Sequence, residues 1–245
     1  MDLGIENKVA IVLGGTKGIG LACVERFLEA GCHVVSVARS QGNVEGLHGR
    51  LDFIEVDLMA ENGCESLLTE VAALNVSPDI IVHAYGNTLG FGSAMTDVSD
   101  WRAVMRYNFE LPLEINNRFL PALLEKKWGR VVHVSSAAAY APDAATPYAV
   151  AKHTLDAYVK RLGGEVAPHN VVVSSVVPSA TTYPGNKWDM MAQQEPVQAQ
   201  EYVEKRIGAK RFAHAGEVAD LILFLSSKRA SFCHGSIVPV DGYAY

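Results

Sequence analysis

The amino-acid sequence predicts an α/β fold, namely a doubly wound, parallel seven-stranded sheet with helices on both faces. Two observations predict it. Short β-branched segments of strand length alternate with longer segments whose apolar residues recur at helical spacing, which is typical of parallel sheets with crossover helices. The 245 residues contain no linker, repeat or low-complexity segment, and a chain of this length can bury one full core. We therefore expect residues 1–245 to form a single domain.

The order of strands and helices follows from these patterns. The predicted strands are residues 8–13, 33–38, 51–56, 79–84, 131–134, 171–177 and 236–240. Apolar residues at helical spacing occupy 21–28, 97–125 (across Pro112 and Pro121) and 217–225. Residues 179–212 break this rhythm with many Gln, Glu, Met and aromatic residues. So long a connection is typical of a partly helical lid over a site.

A glycine-rich turn connects the first predicted strand to the first helix. Its sequence is Gly14-Gly15-Thr16-Lys17-Gly18-Ile19-Gly20, with Gly-x3-Gly-x-Gly spacing. Glycines let the backbone turn tightly and approach a pyrophosphate closely. The free N–H groups and the dipole of the helix N-terminus attract its negative charge. This order of elements is typical of a Rossmann-type dinucleotide domain. We predict cofactor contacts from Gly14, Thr16, Lys17, Gly18, Ile19 and Gly20.

The residues after the next two strands indicate which dinucleotide binds. Arg39 lies just past the second strand, where dinucleotide folds face the adenine ribose and an arginine accepts a 2′-phosphate. Together with Lys17, Arg39 predicts NADP(H) as the cofactor. The alternative is that both are solvated surface cations. Asp57 ends the third strand and is placed to meet the adenine.

The stretch from Gly129 to Lys152 carries the candidate catalytic groups. A β-branched strand ends in Ser135 and Ser136, and a loop leads to a helix that carries Tyr148 and Lys152 at i and i+4. Such residues share one helix face. An ammonium beside a phenol lowers the phenol pKa, which predicts a proton donor and acceptor near neutral pH. A serine hydroxyl could bond the oxygen that gains charge. The alternative is chance, since Tyr and Lys four apart are common on helices.

Composition excludes several other classes of protein. A net charge of −6 gives no basic surface for nucleic acid or anionic membrane, and no apolar run is long enough to span a bilayer. The start, MDLGIENKVA, lacks the pattern of a signal peptide. The four cysteines have no metal-ligand or CxxC spacing, so we expect small buried residues, no metal site and a cytoplasmic location.

Several motifs together carry a resemblance to a known family. They are Gly14-x3-Gly18-x-Gly20, Asp57-Leu58, Gly86, Asn108, Gly129-Arg130 through Ser136, Tyr148-x3-Lys152, Pro178 and Val240-Asp241-Gly242. In this order they resemble, over the whole chain, the NADP(H)-preferring type of the short-chain dehydrogenase/reductase (SDR) family. The resemblance implies that Tyr148 is the acid/base, that Lys152 holds the nicotinamide ribose, that Ser136 orients the carbonyl and that Asn108 holds a relay water. It also implies cofactor contacts from Leu58, Ala84, Gly86 and Pro178, and a homotetramer built partly on helices around 97–125 and 146–166.

The sequence departs from the family pattern at five places. Leu13 replaces a Thr before the first Gly, and His83-Ala84-Tyr85-Gly86 replaces Asn-Asn-Ala-Gly, which puts a bulky phenol near the cofactor. Ser179 and Tyr243 each replace a Gly. The loop from Ser136 to Tyr148 is one residue shorter than usual, which leaves Ser135 as a weaker candidate for the serine role. These changes suggest altered cleft walls and a specialised substrate.

The predicted function is hydride transfer between NADP(H) and a carbonyl or secondary alcohol. A 3-oxoacyl thioester, a sugar and a polyketide-like ketone all fit. Two alternatives remain open: a non-catalytic NADP(H)-binding sensor or scaffold, and an epimerase or dehydratase on the same fold. The lid offers both apolar and cationic groups to a substrate, although each of them could equally serve lid packing or be solvated. They are Tyr183, Trp188, Met190, Met191, Lys187, Lys205, Arg206, Lys210 and Arg211.

Overall fold

A parallel sheet of seven strands forms the centre of the protein, which the computed structural model describes over residues 2–44 and 46–244. The strands in chain order are β1 (Val9–Leu13), β2 (His33–Ala38), β3 (Leu51–Glu55), β4 (Ile80–His83), β5 (Gly129–Val134), β6 (Val171–Pro178), the two-residue β7 (Thr181–Thr182) and β8 (Ala213–His214), and β9 (Ile237–Val240). The large sheet has the order β3-β2-β1-β4-β5-β6-β9 and all its neighbours are parallel. The predicted fold class is confirmed.

Helices cover both faces of this sheet. They are α1 (Gly18–Glu29), α2 (Gly63–Ala73), α3 (Val98–Met105), α4 (Leu111–Lys126), α5 (Thr146–Val166), α6 (Lys187–Gln194), α7 (Pro196–Arg206) and α8 (Ala215–Leu225). Alternate strand residues point to opposite faces, so Ile11 and Leu13 of β1 join one apolar core while Ala10 and Val12 join the other. Helices α2, α4 and α5 pack on the first face, and α1 and α8 pack on the second.

A π-helical turn, Arg106–Glu110, joins α3 to α4. The sequence predicts helix across this region, and the helix is continuous, with Pro112 in the first turn of α4 and Pro121 inside it. The π-turn itself was not predicted. Its buried Asn108 bonds outside the helix as well as within it: Nδ2 donates to the carbonyls of Val104 (2.9 Å) and Asn87 (2.8 Å), and Oδ1 accepts from the Asn87 amide (3.0 Å). Asn108 thereby fixes the chain that leaves β4.

The remaining differences from the sequence-based prediction are small. Strand ends shift by one or two residues, and the β7–β8 pair is too short to leave a periodic signal. Three cysteines are buried as expected, whereas Cys233 is partly exposed, and the four thiols are unpaired in the described structure. Across residues 2–44 and 46–244, we find no helix whose length and apolar character would let it cross a membrane.

Candidate active site

The order of the strands reverses between β1 and β4. From β1 the chain adds strands outward to β2 and β3, and it then returns to place β4, β5, β6 and β9 on the other side. In open parallel sheets, ligands bind outside the carboxyl ends of the strands at such a reversal. Gly14 follows β1 and Ala84 follows β4, and a Cβ on Gly14 would lie 3.2 Å from the Ala84 carbonyl oxygen. The two strand ends therefore form the two sides of one narrow cleft.

The glycine-rich turn forms a cradle at the start of α1. Gly14 (φ +83°) and Gly18 (φ +57°) have backbone conformations that favour glycine. Gly20 allows close packing, since a Cβ there would lie 2.0 Å from the Gly14 carbonyl oxygen. Lys17 is the exposed N-cap of α1, while Thr16 is buried. The uncharged first turn of α1 therefore leaves its N–H groups and dipole for an anion.

The residues predicted to meet the adenosine lie on one side of this cradle. Arg39 and Asp57 are exposed after β2 and β3, and Leu58 is buried beside them. Sequence reasoning missed Tyr107, from the π-turn. Burial raises the pKa of the Tyr107 phenol, while the positive charge of Arg39 lowers it and the negative charge of Asp57 raises it. Tyr107 therefore lies within electrostatic reach of both residues, and its position beside Asn108 was the only signal in the sequence.

The residues predicted to be catalytic lie together beyond β5. Ser136 and Tyr148 are half-buried, and the Ser136 hydroxyl lies within reach of the Tyr148 phenol, whose pKa it lowers. Lys152 is 2% exposed, and its Nζ donates to the Val134 carbonyl oxygen at 2.8 Å and lies 5.7 Å from the centroid of the Tyr148 ring. A hydroxyl, a phenol and an ammonium therefore converge at the carboxyl ends of the strands.

Gly86 closes this group from the β4 side. A Cβ at Gly86 would lie 2.8 Å from Lys152 Nζ and 3.0 Å from Asn108 Oδ1. The absence of a side chain thus lets Lys152 and Asn108 approach the same point of the backbone. The structure brings together Ser136, Tyr148, Lys152, Asn108 and Gly86. Pro178, buried at the end of β6, completes the row of strand ends.

The pKa of Tyr148 differs from the sequence-based expectation. Burial raises the pKa of its phenol to about 12, although the Ser136 hydrogen bond lowers it, and burial lowers the pKa of Lys152 to about 8, although the charge of Asp156 raises it. The net direction is therefore opposite to the lowered Tyr148 pKa that the spacing predicts. Desolvation of the phenolate dominates, since the ammonium bonds a carbonyl and not the phenol oxygen.

The structure separates the two candidate serines. Ser135 is buried, and its Oγ donates to Asp156 Oδ2 at 2.9 Å. Ser136 instead begins the short helical turn Ala137–Ala139, where its Oγ accepts from the Ala138 amide at 3.2 Å. Ser136 therefore faces Tyr148 despite the shorter loop. Sequence reasoning missed Asp156, although it lies four residues after Lys152 and so continues the helix face that carries Tyr148 and Lys152.

Tyr85 follows β4, with its Cβ beside Gly14 of the glycine-rich turn. Its ring packs with the core under the sheet, 5.5 Å from the Tyr107 ring, and its hydroxyl lies 3.5 Å from His83 Nδ1. His83 itself stacks on His133 with 4.3 Å between centroids and bonds Asn116 at 2.9 Å. His83 and Tyr85, which depart from the family pattern, therefore contact each other and other polar groups in the core.

Two other departures from the family pattern, Ser179 and Tyr243, lie after β6 and β9 at the far side of the sheet. Ser179 donates to the Asp241 carbonyl oxygen at 2.8 Å, which ties the end of β6 to the turn after β9. Tyr243 is exposed with φ +63°, a conformation that favours the glycine of the family pattern. The backbone of this turn bonds the end of the lid, because the Gly208 amide donates to the Tyr243 carbonyl oxygen at 2.9 Å.

The segment 179–212 contains α6 and α7 and carries its own small core. Trp188 packs on Tyr202 (4.7 Å) and Phe212 (5.6 Å), so this tryptophan serves lid packing. Most of the lid cations are also engaged. The pairs are Arg206 with Asp143, Arg211 with Glu217, Lys205 with Glu201 and Lys210 with Glu204, and Lys187 lies over the Trp188 ring. The Arg206–Asp143 pair joins α7 to the loop that precedes Tyr148.

Tyr183 is the lid residue that reaches the cleft. A Cβ on Gly18 would lie 2.8 Å from Cε1 of the Tyr183 ring, so this ring lies against the glycine-rich turn. Tyr183 also raises the pKa of the Tyr148 phenol, which places its hydroxyl within electrostatic reach of the catalytic group. The side chain of Tyr183 therefore lies between the glycine-rich turn and Tyr148.

Comparisons with known proteins agree with this geometry. A family model described as enoyl-(acyl carrier protein) reductase matches residues 14–242. A 3-oxoacyl-(acyl-carrier-protein) reductase of Aquifex aeolicus is 29% identical over 99% of this chain and 99% of its own. Dehydrogenase/reductase SDR family member 4 of Bos taurus is 32% identical over 97% of this chain and 87% of its own. The chain belongs to the short-chain dehydrogenase/reductase family, a family of NAD(P)-dependent oxidoreductases.

A solved structure shows the same architecture. The L-sorbose reductase of Gluconobacter frateurii, crystallised with NADPH and L-sorbose, superposes with a TM-score of 0.88 at 26% identity, covering 99% of this chain and 98% of its own. The similarity extends over the full sheet, the helices on both faces and the segment 179–212.

Proposed function

We propose that this protein is an NADPH-dependent reductase of a carbonyl group, with Tyr148 as the proton donor. The observation that carries the proposal is the convergence of Ser136, Tyr148 and Lys152 beside the glycine-rich cradle at the reversal of strand order. Relatives named as reductases support it, since a 3-oxoacyl group and L-sorbose each contain a ketone.

The residues of the cleft fit a phosphorylated dinucleotide. The glycine-rich turn bends at Gly14 and Gly18 in conformations that favour glycine, and the N-terminus of α1 that follows it offers its dipole to a pyrophosphate. The exposed guanidinium of Arg39 would hold the 2′-phosphate, and the side chain of Asp57 and the backbone around Ala84 would border the adenosine. When bound, NADPH supplies the hydride that reduces the carbonyl carbon. Ile19, Leu58 and Pro178 would bound the same cleft.

The chain itself handles the proton and the charge on oxygen. With a raised pKa, the Tyr148 phenol remains protonated at neutral pH, so it can donate a proton to the oxygen that gains charge. Ser136 holds that oxygen in place by a hydrogen bond. Lys152, which is buried and charged below about pH 8, would hold the nicotinamide ribose and favour the tyrosinate that remains. Asn108 would hold a water in the path that restores the proton. Because the Tyr148 phenol is protonated and Lys152 is charged at neutral pH, the site favours reduction of a carbonyl over oxidation of an alcohol.

The substrate class we propose is a neutral ketone, such as a sugar or the keto group of an acyl or polyketide chain. Arg206 and Arg211 are each engaged by a carboxylate, which does not favour recognition of an anion by the lid. We propose that residues 1–245 form a single domain and that residues 179–212 act as its lid over the substrate. Within it, Tyr183 and the partly exposed Met190 and Met191 would contact the substrate.

The preference for NADPH is tested by titrating NADPH and NADH against the wild type and Arg39→Asp. We expect the wild type to bind NADPH more tightly. Arg39→Asp should weaken NADPH binding about 10²-fold, since a charged hydrogen bond is lost and a like charge is added, while NADH binding changes little. The matched control is Arg50→Asp, an exposed arginine that precedes β3 and so lies at the amino ends of the strands, whereas Arg39 lies at their carboxyl ends. An unchanged NADPH affinity in Arg39→Asp would refute the role of Arg39.

The oligomeric state and the cellular location of the protein are further parts of the proposal. We propose a homotetramer in which parts of α3, α4 and α5 are shared between subunits. We also propose a reducing, cytoplasmic setting, supported by the four unpaired thiols in the described structure. Burial raises the pKa of Cys32 to about 12 and that of Cys64 to about 11, so these thiols are poor nucleophiles.

A further inference from the structure

A buried carboxylate lies one helical turn beyond Lys152. Asp156 is 2% exposed and accepts three hydrogen bonds from hydroxyl groups. Its Oδ2 accepts from Ser135 (2.9 Å) and from Tyr140 (2.8 Å), and its Oδ1 accepts from Ser175 (2.9 Å). Buried carboxylates are retained in proteins only when they are well compensated. The proposed reaction gives Asp156 no contact with cofactor or substrate, so another role must explain it.

The three donors belong to separate parts of the site. Ser135 follows the end of β5, Tyr140 follows the short turn that begins at Ser136, and Ser175 lies in β6. Asp156 on α5 therefore ties the helix of Tyr148 and Lys152 to both neighbouring strand ends. Ser135 Oγ also lies 3.4 Å from the Lys152 carbonyl oxygen. Because Ser135 is held in this way, the next residue, Ser136, is directed to the opposite side and faces Tyr148.

The charge of Asp156 acts on Lys152. The ammonium of Lys152 is as deeply buried as the carboxylate, and its hydrogen bond to Val134 is to a neutral carbonyl. A buried ammonium loses its proton readily unless a negative charge is near. Burial lowers the pKa of Lys152 to about 8, and the charge of Asp156 opposes this decrease.

We propose that Asp156 is a positioning residue of the active site, which directs Ser136 towards Tyr148 through Ser135 and keeps the ammonium of Lys152 protonated at neutral pH. The catalytic significance of Ser136 and Lys152 rests on the proposed function. The effect of Asp156 on the two side chains does not, because it rests on contacts within the chain.

The other titratable groups around Lys152 do not change charge near pH 8. Burial lowers the pKa of His83 to about 4 and that of His133 further, so both are neutral there. Burial raises the pKa of Tyr148 and of Tyr140 to about 12. A titration midpoint near pH 8 therefore belongs to Lys152, whose pKa burial lowers and the negative charge of Asp156 raises.

The test is NMR titration of the Lys152 side chain in protein labelled with 13C-lysine, with the signal assigned by its loss in Lys152→Met. We expect a midpoint near pH 8 in the wild type and a decrease of about one pH unit in Asp156→Asn, which keeps the shape but removes the charge. The matched control is Ser175→Ala, which removes one hydrogen bond to Asp156 and keeps its charge, so its midpoint should remain that of the wild type. An unchanged midpoint in Asp156→Asn, or an equal shift in Ser175→Ala, would overturn the proposal.

Two further readouts complete the test. In the holoenzyme, the alkaline limit of reductase activity should fall with the NMR midpoint in Asp156→Asn. A shifted midpoint in a protein without reductase activity would contradict the proposed function and support the role of Asp156. If Asp156→Asn does not fold, Ser135→Ala decides: it removes one hydrogen bond to Asp156 and should lower kcat while the Lys152 midpoint stays near that of the wild type, and a wild-type kcat would overturn the role of Asp156 in directing Ser136.

Discussion

Replacement of Tyr148 by phenylalanine is expected to lower kcat by about 10²- to 10⁴-fold, the usual contribution of a positioned acid. The centroid of the Tyr148 ring lies 5.7 Å from the Lys152 ammonium, and its hydroxyl lies within reach of the Ser136 hydroxyl. The variant keeps the ring and loses only the proton donor, so the affinity for NADPH should be largely kept. Steady-state rates of carbonyl reduction at 340 nm and a separate NADPH titration measure the two quantities.

The matched control for this variant is Tyr158→Phe, on the same helix. The Tyr158 hydroxyl accepts from Asn116 Nδ2 at 3.2 Å, beneath the sheet, so its loss should leave kcat near that of the wild type. A Tyr148→Phe enzyme with full turnover would show that another group donates the proton. An equal loss in both variants would point to a general effect of removing a phenol from α5.

Replacement of Gly20 by alanine is expected to abolish dinucleotide binding, with an NADPH affinity at least about 10²-fold weaker. The added Cβ would lie 2.0 Å from the Gly14 carbonyl oxygen and 2.8 Å from the Gly14 carbonyl carbon, and both are backbone atoms that no rotamer change can move. The N-terminus of α1 must shift away from the turn, which opens the cradle. Overpacking of this kind also lowers the free energy of unfolding by about 1–3 kcal/mol.

The matched control is Gly164→Ala in α5. A Cβ there would meet none of the described atoms within 4 Å, so the substitution adds a helix former without a clash. It should raise the free energy of unfolding by up to about 1 kcal/mol and leave NADPH binding unchanged. Fluorescence titration and urea unfolding of both variants test the prediction. Wild-type NADPH affinity in Gly20→Ala would show that the turn does not need this contact.

The sequence predicted the fold and the members of the candidate site because local signals determine both. The periodicity of apolar residues shows which face of each strand or helix is buried. The Gly-rich turn and Tyr148-x3-Lys152 are short motifs whose residue spacing can be recognised in the sequence. These patterns leave the order of the strands in the sheet open. They still predict the row of residues at the strand ends, since any parallel sheet brings those ends to one edge. The short β7–β8 pair and the π-turn have no comparable local signal.

Contacts between distant segments explain what could not be predicted. The choice between Ser135 and Ser136 depends on Asp156, 21 residues away from Ser135. The pKa of Tyr148 depends on how deeply the phenol is buried, which spacing on a helix does not report. The contact of the Tyr85 phenol with His83 Nδ1 also has no signal in the local sequence. Each of these outcomes is set by packing across elements.

The central claim is that the protein transfers a hydride to a carbonyl carbon while Tyr148 supplies the proton. The most direct measurement incubates the wild type with NADPH that carries deuterium at both C4 positions and a panel of sugars, 3-oxoacyl thioesters and polyketide-like ketones, and analyses the products by mass spectrometry. We expect an alcohol that carries one deuterium on the former carbonyl carbon, formed much more slowly by Tyr148→Phe. If NADPH binds tightly and no ketone of the panel receives deuterium, the protein is not a reductase of these compounds and the account is contradicted.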